Sequence, residues 1–319
     1  MTTTSNSNRN GALFALCAFA LFASHDVVIK FLGASYSPFQ IIFFTTLMSF
    51  PMTTLMLMRD ETEANLRPAH PWWTALRTGC VIIAMTSAFY AFTVLPLAQT
   101  YAILFAAPLN ITMLAIPILG ERVGWRRLLA VLVGLAGVVV VLRPGSTDLH
   151  LGHLAALTAA IFSALASVIV RKIGRDERSV VLLLYPLLAN FLLMAFLMPK
   201  SYQPMPVTHL GAVAVVSLFG FLAGLLMIAA YKNAEAAIVA PMQYSQIVWA
   251  SIYGVLFFDE RIDSITLLGA AIIISSGLFI VFREQAGGTS NNTPVLRSRS
   301  RGYGSTFRIS PFLPRSRRK

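Results

Sequence analysis

Apolar residues in this chain gather into blocks about as long as a membrane is thick, and they do so ten times: 11–32, 38–58, 72–94, 98–119, 125–142, 151–170, 179–198, 208–231, 236–257 and 264–282. A helix needs roughly 20 such residues to cross a hydrocarbon core of about 30 Å. Only helices and closed barrels satisfy every backbone group there. The blocks predict an all-α integral membrane protein with ten transmembrane helices. Composition agrees, with 56% of the 319 residues apolar and 12% charged, where an average soluble domain carries about 25% charged residues. The first block is too long for a signal peptide and runs into Ser24-His25-Asp26 and Lys30 rather than a small-residue cleavage site, so it is the first span. Cys17 and Cys80 sit inside apolar blocks without metal-ligand spacing and are expected to be small core residues.

Lys and Arg in the connections set the orientation, because cytoplasmic loops retain them. With the N-terminus inside, 21 basic residues fall on the inner side and four (Lys30, Arg143, Lys200, Arg261) on the outer; without the nine after residue 282 the ratio is still 12 to four. Both termini are therefore expected in the cytoplasm, residues 1–10 forming the N-terminal end of a protein of the cytoplasmic (inner) membrane. The formal charge of +12 is concentrated in residues 286–319, which hold eight basic residues and no acid. That segment is expected to be a disordered, basic cytoplasmic tail attracted to anionic membrane lipid. With the excess charge explained in this way, no nucleic-acid partner is expected.

The chain repeats itself. Residues 11–33 align with 152–174 at an offset of 141, with eight of 23 positions identical, the framing pairs Gly11/Gly152 and Gly33/Gly174 among them, and with Lys30 on Arg171. At an offset of 139, Glu121-Arg122 falls on Glu260-Arg261. The two copies, 11–142 and 151–282, hold five spans each. Five is odd, so the second copy enters the membrane from the opposite side. Two five-helix repeats of inverted topology give one sequence two related conformations, one open to each face, with a binding site at mid-membrane between them.

Asp26, Lys30 and Gln40 in the first two spans, Leu95-Pro96-Leu97-Ala98, Ala107-Pro108 followed by Gly120-Glu121-Arg122, and Ala240-Pro241 followed by Asp259-Glu260-Arg261 resemble, in order and repetition, the ten-helix EamA-type branch of the drug/metabolite transporter superfamily. The resemblance covers 11–282. It implies a secondary transporter of small organic metabolites, with a cavity lined mainly by spans 1, 3, 4, 6, 8 and 9 and with spans 5 and 10 behind. Members often carry Arg at the position of Thr45, where this sequence departs.

Ionisable groups inside a membrane are functional candidates by default. Asp26 is the leading candidate for proton coupling, with His25 beside it and Lys30 four residues on, on the same helical face; the alternative for Asp26 and Lys30 is a structural i,i+4 pair with Lys30 reaching for water. Spans 4 and 9 occupy equivalent places in the two copies, and each carries a proline in a run dotted with polar residues. Tyr90, Tyr101, Asn110, Gln243, Tyr244, Gln246 and Trp249 are the candidate substrate-binding residues, and Pro108 and Pro241 the candidate hinges. For Tyr101 and Tyr231, near span ends, an interfacial belt position is the competing expectation. Arg77 is expected to snorkel, with a cavity-facing site for an anionic group as the alternative; Glu121 and Glu260 are expected to pair with the neighbouring Arg122 and Arg261, with direct substrate contact as the alternative; and Ala130, Gly134 and Gly137 are expected to form a helix-packing face.

These features point to a secondary active transporter of a small organic metabolite, coupled to protons or working by exchange. Facilitated uptake or exchange of a vitamin or nucleoside-like compound is the alternative. No cofactor or metal motif is present, and the acid/base constellation that an intramembrane lipid-modifying enzyme needs is missing. Neither an ATP-binding motif nor a channel filter appears.

Overall fold

The computed structural model describes residues 2–58, 67–120, 123–143, 150–174, 176–177, 179–234, 236–261 and 263–286. Glu121, Arg122 and the basic tail from 287 lie outside them. Among the described residues every element is helical. In chain order these are α1 (Thr2–Gly33), α2 (Pro38–Met58), α3 (Pro71–Val94), α4 (Leu97–Leu104), α5 (Ala107–Leu119), α6 (Trp125–Leu142), α7 (Leu151–Ile173), α8 (Ser179–Leu197), α9 (Val207–Asn233), α10 (Ala236–Val239), α11 (Ser245–Phe258) and α12 (Ser264–Ala286). A 3-10 turn, Ala240–Tyr244, joins α10 to α11. The pairs α4/α5 and α10/α11 are each one interrupted crossing, so twelve helices make ten spans. Among the described residues, eight crossings are long and apolar enough to span a membrane by length and composition alone; the other two crossings are α2 and the interrupted α10–α11. The first helix starts at Thr2, well before the apolar block at 11.

Prolines place several of the starts. Pro38 opens α2, Pro71 opens α3, and Pro96 and Pro206 precede α4 and α9, positions where a missing N–H costs nothing. The stops of spans 4 and 9 share another device. Gly120 after α5 and Asp259 after α11 are both left-handed, with φ of 68° and 50°, a conformation that Gly adopts freely and Asp better than most. The repeated Glu121 and Glu260 are the next residues after these stops.

The two copies interlock instead of standing side by side. The first span (α1) packs along the eighth (α9), and the third (α3) along the sixth (α7), which is the same crossing used twice. Spans 5 and 10 (α6 and α12) pair with each other, as do 2 with 7 (α2 and α8) and 4 with 9 (α4 and α11). The framing glycines explain how closely the crossings approach. A Cβ on Gly11 would overlap Ala234 at the end of the eighth span, and one on Gly152 would overlap Val94 and Leu95 at the end of the third. Gly137 meets Gly269 across the α6–α12 contact, and Ser276 donates to the Ala130 carbonyl there. This is the close packing expected of that small-residue face.

One membrane face holds the described residues 34–37, 95–96, 143, 150, 198–206, 259–261 and 263, and will be called the Lys30 face. On it Tyr36 bonds His209 at 2.6 Å, and Gln40 and Gln203 exchange two hydrogen bonds. On the opposite face Glu177 accepts the backbone N–H groups of Ala69 and His70. Two sequence expectations fail here. Arg77 does not snorkel: it is buried and donates to the Leu182 carbonyl across the α3–α8 contact. Cys80 is buried, but Cys17 is exposed on α1 and is not a core residue.

Candidate functional site

Asp26 is 2% exposed on α1, in the half of the span nearer the Lys30 face. Its two carboxylate oxygens have separate donors. His25 Nδ1 lies 2.7 Å from Oδ1, and the Tyr101 hydroxyl of α4 donates to Oδ2. Gln246 Nε2 of α11 reaches the same hydroxyl at 3.4 Å. Two residues of the first span, one of the interrupted fourth and one of the interrupted ninth thus form a single buried polar cluster. A buried carboxylate needs such donors, because an unpaired polar group in this setting costs several kcal/mol, while each hydrogen bond to a charged group returns about 1.5–3 kcal/mol.

The breaks in the fourth and ninth spans bring the remaining walls together. Pro108 stands at the start of α5 and Pro241 at the start of the 3-10 turn, so both candidate hinges mark real interruptions. The Phe105 ring at the first break packs edge-on against the Tyr244 ring at the second, with centroids 5.1 Å apart. Phe105 continues through Tyr101 to Phe92, an aromatic rail running to the Asp26 cluster. On α11, Gln246, Trp249 and Tyr253 fall at helical spacing on one face. Trp249 stacks on Tyr253, whose hydroxyl bonds Ser24 at 3.1 Å, next to His25. Trp249 Nε1 and Ser245 Oγ are buried with no hydrogen-bond partner among the described residues.

Of the sequence candidates, Asp26, His25, Tyr101 and Gln246 come together, with Tyr244 and Trp249 beside them. Tyr101, 3% exposed, is a core residue and not an interfacial one. Tyr90 is half-buried on α3, Asn110 half-buried on α5 and Gln243 half-buried in the 3-10 turn; no described side-chain bond joins them to Asp26. Lys30 departs most. It does not pair with Asp26 but lies 2.7 Å from Glu260 Oε1 and donates to the Leu95 carbonyl at 2.5 Å. Glu260, in turn, takes Lys30 and not the neighbouring Arg261. Sequence reasoning missed this pair, although the two offsets that set Lys30 on Arg171 and Glu260 on Glu121 had marked both positions.

A cleft of about 580 Å³ opens on the Lys30 face, lined by Leu95, Ala98, Gln99, Ser251 and Glu260 among others. Gln99 bonds His153 on its wall at 3.0 Å, and Arg143 pairs with Asp263.

Interlocked repeats and two interrupted spans with a buried acid between them are the architecture of a multi-pass membrane protein. The EamA-like transporter family model matches the chain twice, over 9–143 and 150–282. The protein belongs to that family and is a membrane transporter, not an enzyme. An S-adenosylmethionine uptake transporter of Rickettsia prowazekii (strain Madrid E) is 28% identical over 282 residues, covering 86% of this chain and 94% of its own. A pseudopaline exporter of Pseudomonas aeruginosa (strain UCBPP-PA14) is 24% identical over 268 residues, covering 83% and 94%. One solved crystal structure superposes with a TM-score of 0.60 at 20% identity, over 88% of this chain and 99% of that one, and shares the fold.

Proposed function

We propose that this protein is a secondary carrier that moves a small organic metabolite across the cytoplasmic membrane by alternating access, with Asp26 as the coupling group. The observation that carries the proposal is the Asp26–Tyr101–Gln246 contact. A carboxylate held by groups from both repeats has surroundings that change when the repeats rock against each other. A proton taken up in one arrangement is then released in the other. His25 orients the carboxylate; Tyr244, Gln246, Trp249 and Ser245 offer aromatic faces and open donors to the cargo, with Tyr90, Asn110 and Gln243 further along the walls. Pro108 and Pro241 act as hinges.

The relatives support a metabolite as cargo, since the printed names specify S-adenosylmethionine in one and pseudopaline in another. The first of these favours the nucleoside-like alternative, so S-adenosylmethionine is the first compound to assay. Purified protein in liposomes is tested for flux with and without a pH gradient. Equal rates in both conditions, together with full activity of Asp26→Asn, remove the proton role and leave exchange, which counterflow without a gradient detects. The charge ratio across the connections supports cytoplasmic termini, and the basic residues after 286 support contact with anionic lipid.

A further inference from the structure

The Lys30–Glu260 pair lies between the cleft and the acid. On the cleft side, Glu260 and Leu95 both line the open space, and both hold Lys30. On the other side, Asp26 is one helical turn, about 6 Å, further along α1. The pair is tied into three spans. Lys30 lies in the last turn of the first; Glu260 Oε2 accepts the N–H of Leu97, the first residue of α4, at 3.0 Å; and the Glu260 N–H donates to the Gly254 carbonyl of α11 at 3.0 Å. Gly254 has room for this only because it lacks a Cβ, which would collide with the Glu260 carboxylate. The Lys30 ammonium also sits 5.3 Å from the Phe258 ring centroid. Both side chains are about one-seventh exposed, at 14% and 15%, so each borders water and can be rehydrated when the pair separates.

We propose that Lys30 and Glu260 form the gate on this face. The ion pair is the bolt between the second repeat, which supplies Glu260, and the first, which supplies Lys30, Leu95 and Leu97. A solute in the cleft reaches Asp26 only after it opens. This rests on the alternating-access reading above and adds to it the residues that close one face. Glu260 carries out this role without touching the cargo at Asp26, and its left-handed Asp259 stop aims it back across the bundle.

The test needs no substrate, which separates failure of the gate from failure of the transport reading. In a full-length background with Cys17→Ala and Cys80→Ala, Ser24→Cys reports from beyond the gate and Ser251→Cys reports from the cleft. A membrane-impermeant thiol reagent is added from the Lys30 side of sealed vesicles. Lys30→Ala or Glu260→Gln is expected to speed labelling at 24 about five- to tenfold, as loss of a pair worth about 1 kcal/mol or slightly more shifts a two-state balance. Labelling at 251 is expected to stay constant, and the double exchange Lys30→Glu with Glu260→Lys to return position 24 toward the parent rate. An unchanged rate at 24 in folded single variants, or a double exchange that labels as fast as the singles, overturns the proposal.

Discussion

Tyr101 donates its hydroxyl to Asp26 from 75 residues away, and does so from the last turn before its own helix breaks. The acid is therefore held by a helix end and not by the middle of a continuous rod.

Removing that hydroxyl without changing the ring separates its two roles. Tyr101→Phe keeps the contacts with Phe92 and Phe105 and removes one hydrogen bond to a charged group, about 1.5–3 kcal/mol. Gradient-driven flux is expected to fall at least about tenfold, with the protein still monodisperse in detergent. Gln246→Ala, which loses only a 3.4 Å contact, is expected to cost less. Equal losses in the two variants contradict this ranking.

Asp26→Asn removes the charge and keeps the shape. Expected are loss of the dependence of flux on the pH gradient and retention of counterflow, both read in the same liposomes.

Pro108→Ala and Pro241→Ala give back the backbone donors whose absence keeps the two spans interrupted. If the breaks are hinges, turnover falls at least about fivefold while substrate affinity moves less than about twofold. A pair of variants with parental turnover assigns the prolines to architecture alone.

The framing glycines allow a stability comparison made on one chain. Gly11→Val and Gly152→Val drive bulk into Ala234 and into Val94 with Leu95, and each is expected to cost about 1–3 kcal/mol. Gly79→Ala and Gly211→Ala meet nothing within 4 Å and are expected to be neutral or to gain up to about 1 kcal/mol of helix propensity. Melting temperatures in detergent check both pairs.

Topology is read by reporters. Fusions at either terminus are expected to fluoresce with a cytoplasmic reporter and to be silent with a periplasmic phosphatase.

The spans, the two breaks and the repeat were legible in the sequence because each leaves a local mark: an apolar run, a proline, a glycine at the same offset. Asp26, Tyr101 and Gln246 were found as scarce polar groups in apolar runs. Their meeting was not legible, since it depends on how α1, α4 and α11 cross. Lys30 shows the limit most clearly. Its spacing from Asp26 allows an i,i+4 contact, but the left-handed Asp259 turns Glu260 across the bundle and offers a carboxylate that is nearer to water. The position of Arg77 about one turn into its span suggests an interfacial group, whereas the carbonyl that receives it belongs to a different helix.

The crossing framed by Gly11 is built again by Gly152, with the membrane turned over. Under the alternating-access proposal, two end states assembled from the same kinds of contact differ little in free energy. On that proposal, vectoriality belongs to the gradients outside the protein rather than to a built-in preference for one face.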